Sequence, residues 1–298
     1  MSALASGAAN RFPPGHFYSP IPDDRQLRTE PRRSQVWPST APETPGIEWR
    51  DNAQLALCRD LFARQTRLEF ADTEGPDPTV FFTSNGQYPA LDAWILEGLV
   101  RGVRPKQMIE VGSGYSSLVT ARVNREYLDG ALHFTCVEPY PRQFLVEGVP
   151  GISALVTELV QDIPLNFYDA LDDGDVLFVD TSHTVKTGGD VTWIFSQILP
   201  RLKPGVLVHL HDIFLPRDYP QEWVFDGWGW NEQYLAQSFL LFNSAFEVVF
   251  GACWMLEHHR DELVAAFPTF PCYEAFGGAA LWIRRRGGGP LGGIGATQ

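Results

Sequence analysis

Short apolar runs alternate with amphipathic stretches from residue 107 onward, and no other feature of the sequence restricts the fold as strongly. The apolar runs cover residues 107–111, 132–138, 152–160, 175–180, 206–211, 245–250 and 279–283. Helix-like stretches lie at residues 116–127, 142–147, 188–202 and 231–243. Strands that alternate with helices form parallel βαβ units in a sheet covered on both faces. We predict an α/β fold with a doubly wound, mostly parallel, seven-stranded sheet. The last two strands are expected to pair antiparallel at one edge, because only a non-helical segment separates them.

The pattern of prolines, glycines and apolar residues predicts four parts of the chain. Residues 1–46 are rich in proline, which is excluded from helix interiors and central strands, so we expect an extended surface segment. Residues 47–106 have a helical pattern and are expected to form a cap. Residues 107–285 form the α/β domain, and residues 286–298 are a glycine-rich tail that we expect to be flexible.

Composition restricts the partners and the compartment of the protein. The chain has 36 acidic residues against 23 Lys and Arg, a formal net charge of −13, which argues against a dedicated nucleic-acid binder. It has no apolar run of about 18 residues and no visible secretory signal, so no membrane partner is expected. The four cysteines, Cys58, Cys136, Cys253 and Cys272, are widely spaced, which is typical of free thiols in a reducing compartment. We therefore expect a cytoplasmic protein, of undetermined oligomeric state.

A glycine loop follows the first predicted strand and precedes the first predicted helix. The strand of residues 107–111 runs into Gly112-Ser113-Gly114-Tyr115. A Gly-x-Gly at this position allows a ligand to approach the backbone, although a tight βα turn alone would also explain it. Two carboxylates make the ligand interpretation more specific, since Glu110 lies just before the loop and Glu138 ends the second strand. A carboxylate after the second strand is suited to accept both hydroxyls of a ribose.

Glu110 discriminates between two classes of cofactor. A carboxylate beside a diphosphate would repel it, which counts against the nicotinamide dinucleotides. The same carboxylate suits a cofactor that carries an ammonium group and no phosphate, and S-adenosylmethionine is of this kind. Two alternatives stay open at this point: an NAD(P)-dependent oxidoreductase, and a non-catalytic cofactor-binding scaffold.

These motifs resemble a known family. Glu110-Val-Gly112-Ser-Gly114, followed by Glu138, is similar to the first two motifs of class I S-adenosylmethionine-dependent methyltransferases, which have a Rossmann-like fold. The stretches Asp180-Thr-Ser-His183 and His211-Asp212 resemble a bacterial branch that acts on small molecules. The resemblance implies S-adenosyl-L-methionine as the cofactor. It implies cofactor contacts from Glu110 (methionine amino group), Gly112, Ser113, Gly114 and Tyr115 (methionine part), Glu138 (ribose), Asp162 and Ile163 (adenine), and Asp180.

Four polar residues follow the fourth and fifth strands, where ligands bind in open α/β sheets. They are Asp180, His183, His211 and Asp212, the candidate catalytic residues. A neutral imidazole titrates near working pH, so we expect His183 to remove the acceptor's proton, with His211 as the alternative base. His209 lies deeper in the strand and is expected to be a hydrogen-bonded core residue. Asp212 also fits a capping role.

A metal ion at the same place is a further possibility left open by the sequence. Catechol-type methyltransferases hold a divalent ion with acids that match Asp180 and Asp212. Oxygen ligands suit Mg²⁺ or Ca²⁺. The catechol type has an acid followed by Asn at the end of the fifth strand, whereas this sequence has His211 followed by Asp212. We therefore favour catalysis without a metal ion.

An aromatic segment after the fifth strand contains Trp223, Trp228, Trp230 and Tyr234. It fits a small satellite core under a long loop, but its position favours a lid over the substrate. We expect Phe17-Tyr18 to complete that lid, and Arg217 to lie in solvent or to pair with an acidic substrate group. The predicted reaction is methyl transfer to a small-molecule or peptide acceptor, at oxygen, with N-methylation as the alternative.

Overall fold

The computed structural model describes residues 11–65, 69–267 and 278–290. Seven strands form one sheet in the order β3-β2-β1-β4-β5-β7-β6. The strands are β1 (Gln107–Val111), β2 (His133–Val137), β3 (Ala154–Val156), β4 (Val176–Val179), β5 (Leu207–Leu210), β6 (Phe246–Gly251) and β7 (Leu281–Arg285). Strands β1 to β5 pair parallel with one another, as the alternating pattern predicts.

Eleven α-helices are present in the described ranges. They are α1 (Asp24–Leu27), α2 (Arg32–Val36), α3 (Asp51–Ala56), α4 (Ala90–Val103), α5 (Tyr115–Tyr127), α6 (Gln143–Glu147), α7 (Asp190–Trp193), α8 (Gln221–Phe225), α9 (Glu232–Leu240), α10 (Ala252–His258) and α11 (Arg260–Ala266). Helix α3 continues through a π-helical turn (Leu57–Leu61) into a 3₁₀ turn (Phe62–Arg64), and Leu165–Ala170 forms another 3₁₀ turn. Helix α7 continues similarly through Ile194–Ile198 and Leu199–Arg201. Proline at position 200 lacks the N–H of a regular helix, which explains the irregular end.

The last two strands pair antiparallel as predicted, but their placement and connection differ from the prediction. Strand β7 lies between β5 and β6 and is antiparallel to both, so β6 alone forms that edge. The segment between them was expected to be non-helical, whereas it contains α10 and α11. These helices pack their apolar residues, Met255 and Leu263, into the core, and the chain then returns between two existing strands.

The sheet is covered on both faces by apolar clusters, because alternate strand residues point to opposite sides. Phe178 packs into the cluster that contains Leu91 and Ile95 of α4. Leu177, its neighbour in β4, packs into the other cluster with Ile194 and Ile198. Helix α4, expected in a cap, therefore belongs to the main core and fixes the sheet face behind the site.

The N-terminal segment holds the aromatic lid segment from outside. It contains α1 and α2, whereas the sequence predicted an extended chain. The Trp37 indole N–H donates to the backbone oxygen of Tyr219 at 2.8 Å, and Arg28 lies over the Phe225 ring at 3.9 Å. Phe17 and Tyr18, expected to complete the lid, are 80% and 67% exposed, so they do not.

Several smaller expectations can be placed on the structure. Cys58, Cys136 and Cys253 are free and buried, and Cys272 lies outside the described residues. In the tail, the backbone N–H of Gly289 donates to Asp173 at 2.7 Å, so this part is held to the domain, and residues 291–298 lie outside the described residues. Across the described ranges, no helix has both the length and the apolar character needed to cross a bilayer.

Candidate functional site

A cavity of about 800 Å³ opens at the carboxyl ends of β1, β4 and β5. Its walls come from the glycine loop, the ends of the strands, the aromatic lid and the segment before α4. The lining residues are Thr83, Ser84, Gly86, Gln87, Tyr88, Pro89, Gly112, Ser113, Gly114, Tyr115, Ser116, Glu138, Tyr140, Arg142, Asp180, Thr181, His183, Asp212, Phe214, Trp223, Trp228, Trp230 and Ala279. The predicted loop, Glu138 and three of the four catalytic candidates therefore share one space.

The two glycines of the loop differ in what their surroundings allow. Gly112 has φ +82°, and a Cβ built there would lie 1.6 Å from the backbone oxygen of Asp180. Its N–H donates to the Val137 oxygen at 2.9 Å, so the turn is fixed to both neighbouring strand ends. At Gly114, no described atom lies within 4 Å of an added Cβ, and the position faces the cavity. The turn thus requires glycine at 112, and glycine at 114 leaves space for a ligand.

Glu138 is anchored at the edge of the cavity by two backbone groups. Its carboxylate accepts the N–H of Ser113 at 3.1 Å and the N–H of Tyr140 at 2.8 Å. One carboxylate oxygen serves each donor, so each oxygen keeps acceptor capacity. The side chain is half-buried and lines the cavity. It is thus a fixed double acceptor, the arrangement required for a pair of ribose hydroxyls.

Glu110 is completely buried beneath the loop. Its Oε1 accepts the hydroxyl of Ser116 at 2.5 Å, and its Oε2 has no hydrogen-bond partner among the described residues. Burial raises the pKa of Glu110 to about 8, with the hydrogen bonds from Ser116 and Ser117 acting against that rise. An acid held in this way is largely protonated at neutral pH, and an ammonium group near Oε2 would stabilise the ionised form.

We expect Glu110→Gln to stabilise the protein at pH 8. The unfolded carboxyl ionises near pH 4.5 and the folded one near 8, so the folded state binds more protons between these values and its stability falls as pH rises. Glutamine keeps the bond to Ser116 and removes this penalty, which is on the order of 2–4 kcal/mol above pH 8.

The measurement is thermal unfolding between pH 5 and pH 8, with Glu158→Gln, an exposed site, as the control. We expect the gain in Tm over the parent to grow with pH for Glu110→Gln and to stay flat for Glu158→Gln. A gain that shrinks as pH rises contradicts the buried, protonated state of Glu110.

The two residues predicted for the adenine lie outside the cavity lining. Asp162 is exposed, and Ile163 is buried in the core cluster with Leu177. Tyr140 and Arg142, which follow Glu138, line the cavity. The adenine contacts of Asp162 and Ile163 stay a prediction.

His183 lies at the centre of a cluster of carboxylates. Its Nε2 lies 3.1 Å from Asp180 Oδ1 and 3.3 Å from Asp212 Oδ2. Its Nδ1 lies 3.0 Å from Glu232 Oε2. His183 is 4% exposed, and its backbone adopts φ +53°. Both ring nitrogens are therefore held by acids before any ligand enters.

This environment sets the charge of His183. Burial lowers its pKa, but the hydrogen bonds and charges of Asp180, Glu232 and Asp212 outweigh burial and raise the pKa well above 6.5. The pKa of Asp180 is lowered, because the neighbouring histidines outweigh its burial. His183 is thus an imidazolium in the ligand-free cluster, and it would act as the predicted base only after losing that proton.

His211 and His209 lie behind the cavity. His211 is buried against the Tyr88 ring, with Nε2 3.8 Å from Asp212 Oδ1, and it is absent from the cavity lining. His209 stacks on Phe178 with ring centroids 4.0 Å apart, which agrees with a core position. Its ring nitrogens have no hydrogen-bond partner among the described residues, whereas a hydrogen-bonded histidine was expected, and burial lowers its pKa well below 6.5.

The aromatic lid forms one wall of the cavity. Trp223 and Trp228 stack at 4.5 Å, and Trp230 lies 4.7 Å from Trp228 and 4.2 Å from the His183 ring. Rings this close pack on one another and give the cavity an apolar aromatic wall. Arg217, expected in solvent or on a substrate, instead pairs with Glu257 at 2.7 Å and donates to the backbone oxygen of Pro38.

Sequence reasoning missed Glu232 and the segment before α4. Glu232 is 49 residues from His183, and no local pattern pairs them. The segment 83–89 precedes α4 and carries no apolar period, so only the structure brings Tyr88 and Gln87 to the cavity.

Comparisons with known proteins agree with this architecture. A family model described as a methyltransferase domain matches residues 109–213. An uncharacterized protein of Archaeoglobus fulgidus is 30% identical over 166 residues, which cover 54% of this chain and 74% of the relative. The solved structure of mitomycin 7-O-methyltransferase MmcR is similar with a TM-score of 0.39 and 20% identity, covering 64% of this chain and 53% of that one, so this chain spans about half of it. Residues 109–213 of this chain therefore belong to a methyltransferase domain, which agrees with the resemblance to class I S-adenosylmethionine-dependent methyltransferases.

Proposed function

We propose that this protein transfers a methyl group from S-adenosylmethionine to a hydroxyl of a small-molecule or peptide acceptor. The observation that carries the proposal is the single cavity, which joins the Glu138 anchor and glycine loop to the cluster of Asp180, His183 and Asp212. The cavity thus combines groups suited to a nucleoside with groups that can take up protons.

The residues of the loop end fit the proposed cofactor. Glu138 would hold the ribose hydroxyls, and Gly114 leaves room for the methionine part. Glu110 is completely buried and absent from the cavity lining, so it would act on the amino group through water. The cofactor supplies an electrophilic methyl group on a sulfonium. The protein's part is to align the acceptor and remove its proton.

The cluster supplies that proton uptake. Asp212 lines the cavity beside His183, and burial raises the pKa of its carboxyl group, so its carboxylate can accept a proton from a hydroxyl placed against it. Such a proton acceptor favours O-methylation, since a neutral amine already has a free lone pair and needs no base before attack. The aromatic wall formed by Trp223, Trp228 and Trp230 favours an acceptor with an apolar group.

The test has two arms. Titration calorimetry with S-adenosylhomocysteine should give saturable binding, and incubation of host metabolites with methyl-labelled cofactor should label an O-methyl product by mass spectrometry. Binding of a pyridine dinucleotide instead of S-adenosylhomocysteine would overturn the proposal in favour of an oxidoreductase. Cofactor binding without labelling of any fraction would favour a scaffold, and an N-methyl product would favour the alternative acceptor.

We expect Glu138→Gln to weaken S-adenosylhomocysteine binding about 10- to 100-fold, the loss of one or two charge-assisted hydrogen bonds. The amide offers one acceptor oxygen to two backbone donors, so the N–H of Ser113 or Tyr140 also loses its partner. The measurement is calorimetry, with the exposed Glu158→Gln as the matched control. Equal affinities for the two variants would exclude Glu138 from the cofactor site.

A further inference from the structure

We propose that a second cavity, behind the aromatic lid, binds a substituted ammonium group carried by the methyl acceptor. This cavity has a volume of about 280 Å³ and lies between the N-terminal segment and the lid. The assignment of the ammonium group to the acceptor rests on the proposed function. The binding of an ammonium group by the cavity does not.

Aromatic rings enclose much of the second cavity. The Tyr219 ring meets the Tyr234 ring at 89° with centroids 5.9 Å apart, and it meets the Trp230 ring at 73° and 6.4 Å. Rings at nearly right angles form corners, so they surround a group from more than one direction. The negative face of an aromatic ring attracts a cation that lies within about 6 Å of its centroid. The aromatic lining residues are Trp37, Tyr219, Trp223, Trp228, Trp230 and Tyr234.

Asp218 gives the cavity a negative charge, and it is the only charged side chain among the described residues of the lining. Its Oδ1 accepts the N–H of Tyr219 and the hydroxyl of Tyr234, each at 2.7 Å. Its Oδ2 has no hydrogen-bond or ion-pair partner within the described ranges, because the adjacent Arg217 pairs with Glu257 at 2.7 Å instead. An unpaired carboxylate among ring faces is the combination that recognises an organic cation.

The rest of the lining determines which kind of cation fits. Ile21, Leu27 and Val36 of the N-terminal segment contribute apolar side chains. A metal ion requires several oxygen or nitrogen ligands, and one carboxylate supplies at most two. A primary ammonium group would leave N–H donors without acceptors in such a lining, which is costly. An ammonium group whose hydrogens are replaced by alkyl groups has fewer donors to satisfy and presents apolar surface to the walls.

The second cavity is continuous with the proposed reaction site through shared walls. Trp223, Trp228 and Trp230 line both cavities, and the Trp230 ring also lies 4.2 Å from the His183 ring. At about 280 Å³ the second cavity is smaller than the roughly 300–1,000 Å³ of a complete small-molecule site, so it suits one part of a larger molecule. We therefore infer an acceptor that places its hydroxyl in the main cavity and its ammonium group behind the tryptophans.

The rings of the second cavity are accessible to a ligand from solvent. Trp228 and Tyr234 are each 45% exposed, although both are large aromatic residues of the lining. An aromatic side chain left this open in a lid loses little water-exposed surface until a ligand covers it. Binding should therefore change the fluorescence of the lid tryptophans.

The first test compares choline with neohexyl alcohol, a neutral isostere in which a carbon replaces the nitrogen of choline. Both are titrated into the full-length protein, followed by tryptophan fluorescence and calorimetry. We expect choline to bind at least about 10-fold more tightly, because only choline carries the charge that the rings and Asp218 attract. Equal affinities for the two compounds, or no binding of choline, overturn the proposal.

Asp218→Asn tests the role of the carboxylate, since asparagine keeps an oxygen for Tyr219 and Tyr234 but removes the charge. We expect choline to bind at least about 5-fold more weakly to this variant and neohexyl alcohol to bind as it does to the parent. The matched control is Asp226→Asn, an exposed acid at the end of α8 that is absent from the lining. Equal effects of the two substitutions on choline contradict a specific role for Asp218.

Two substitutions at Tyr234 separate the ring from its hydroxyl. Tyr234→Leu keeps an apolar side chain without a ring face, whereas Tyr234→Phe keeps the ring and loses only the bond to Asp218. We expect choline to bind about 2- to 5-fold more weakly to the leucine variant than to the phenylalanine variant. Equal affinities of these variants contradict the enclosure by rings. If a variant fails to fold, the comparison of choline with its isostere on the parent still decides the proposal.

The methyl-labelled product tests whether the ammonium group belongs to the acceptor. We expect that product to be retained by a cation exchanger at neutral pH, and Asp218→Asn to raise the KM of the acceptor at least about 5-fold with kcat within about two-fold. A product without an ammonium group overturns the assignment to the acceptor. Labelling by a protein that does not prefer choline overturns this inference and leaves the proposed function. A preference for choline without any labelling overturns the proposed function, and with it the assignment to the acceptor, but leaves the ammonium site.

Discussion

Gly112→Ala is expected to destabilise the protein by about 4 kcal/mol and to lower its Tm by on the order of 10 °C. The added Cβ would lie 1.6 Å from the Asp180 oxygen, which is backbone and cannot rotate away, and the position needs φ +82°. The turn would have to open, which also separates Val111 from the end of β4, where the N–H of Asp180 donates to the Val111 oxygen at 2.9 Å. Thermal unfolding measures the change.

Gly114→Ala is the matched control, two residues away in the same loop. No described atom lies within 4 Å of its added Cβ, so we expect a Tm near that of the parent. Its Cβ enters the cavity, however, so S-adenosylhomocysteine binding should weaken although stability does not change. Equal losses of stability in both variants would show that the two positions respond alike to a side chain. That result would contradict the steric conflict expected at Gly112 alone.

The contrast between the two glycines shows where sequence reasoning about the loop stops. Gly-x-Gly after a strand predicts close approach of a ligand to the backbone. The structure explains Gly112 instead by the carbonyl of Asp180, a residue 68 positions later whose strand neighbours β1. The sequence pattern shows that the loop needs a residue without a side chain. It does not show which atom excludes the side chain, because that atom belongs to a strand that becomes a neighbour only in the folded sheet.

The strands were predictable for a local reason, and the order of the last two was not. Apolar runs such as residues 107–111 are short and bounded by turn residues, which favours a buried strand over a helix. The position of β7 between β5 and β6 depends on α10 and α11 packing against the core, which is a tertiary effect. The alternation of side chains along β7 does not determine which strands it pairs with.

The same distinction applies to the catalytic cluster. Asp180, His183 and Asp212 could be predicted to meet because the carboxyl ends of parallel strands share one edge of the sheet. The prediction took His183 as a neutral base, whereas Glu232 reaches its second nitrogen from the start of α9 and helps to raise its pKa. His211 was the alternative base in the sequence analysis, and its side chain is buried beside Tyr88.

His183→Asn should reduce methyl-transfer turnover at least about 100-fold, the low end of the range for a positioned proton-transfer group. Asparagine tolerates the left-handed backbone at φ +53°, so the turn after β4 should persist. It cannot bridge Glu232 to both aspartates, so the proton-accepting group loses the cation that holds its three acids together.

The readout must separate this chemical role from a structural one. Single-turnover methylation and calorimetry with S-adenosylhomocysteine should show a large loss of rate with an affinity within a few-fold of the parent, since the His183 ring is held by Asp180, Asp212 and Glu232 and not by Glu138 or the glycine loop. His133→Asn, at an exposed position in β2, should retain the parent's rate and affinity. A His183→Asn protein that turns over like this control would remove His183 from the reaction, and the proton would then have to pass to Asp180 or Asp212 without it. A variant that loses cofactor affinity as strongly as rate would instead mean that the cluster supports the loop end of the cavity, because the turn at Gly112 packs on the same Asp180 backbone that precedes His183.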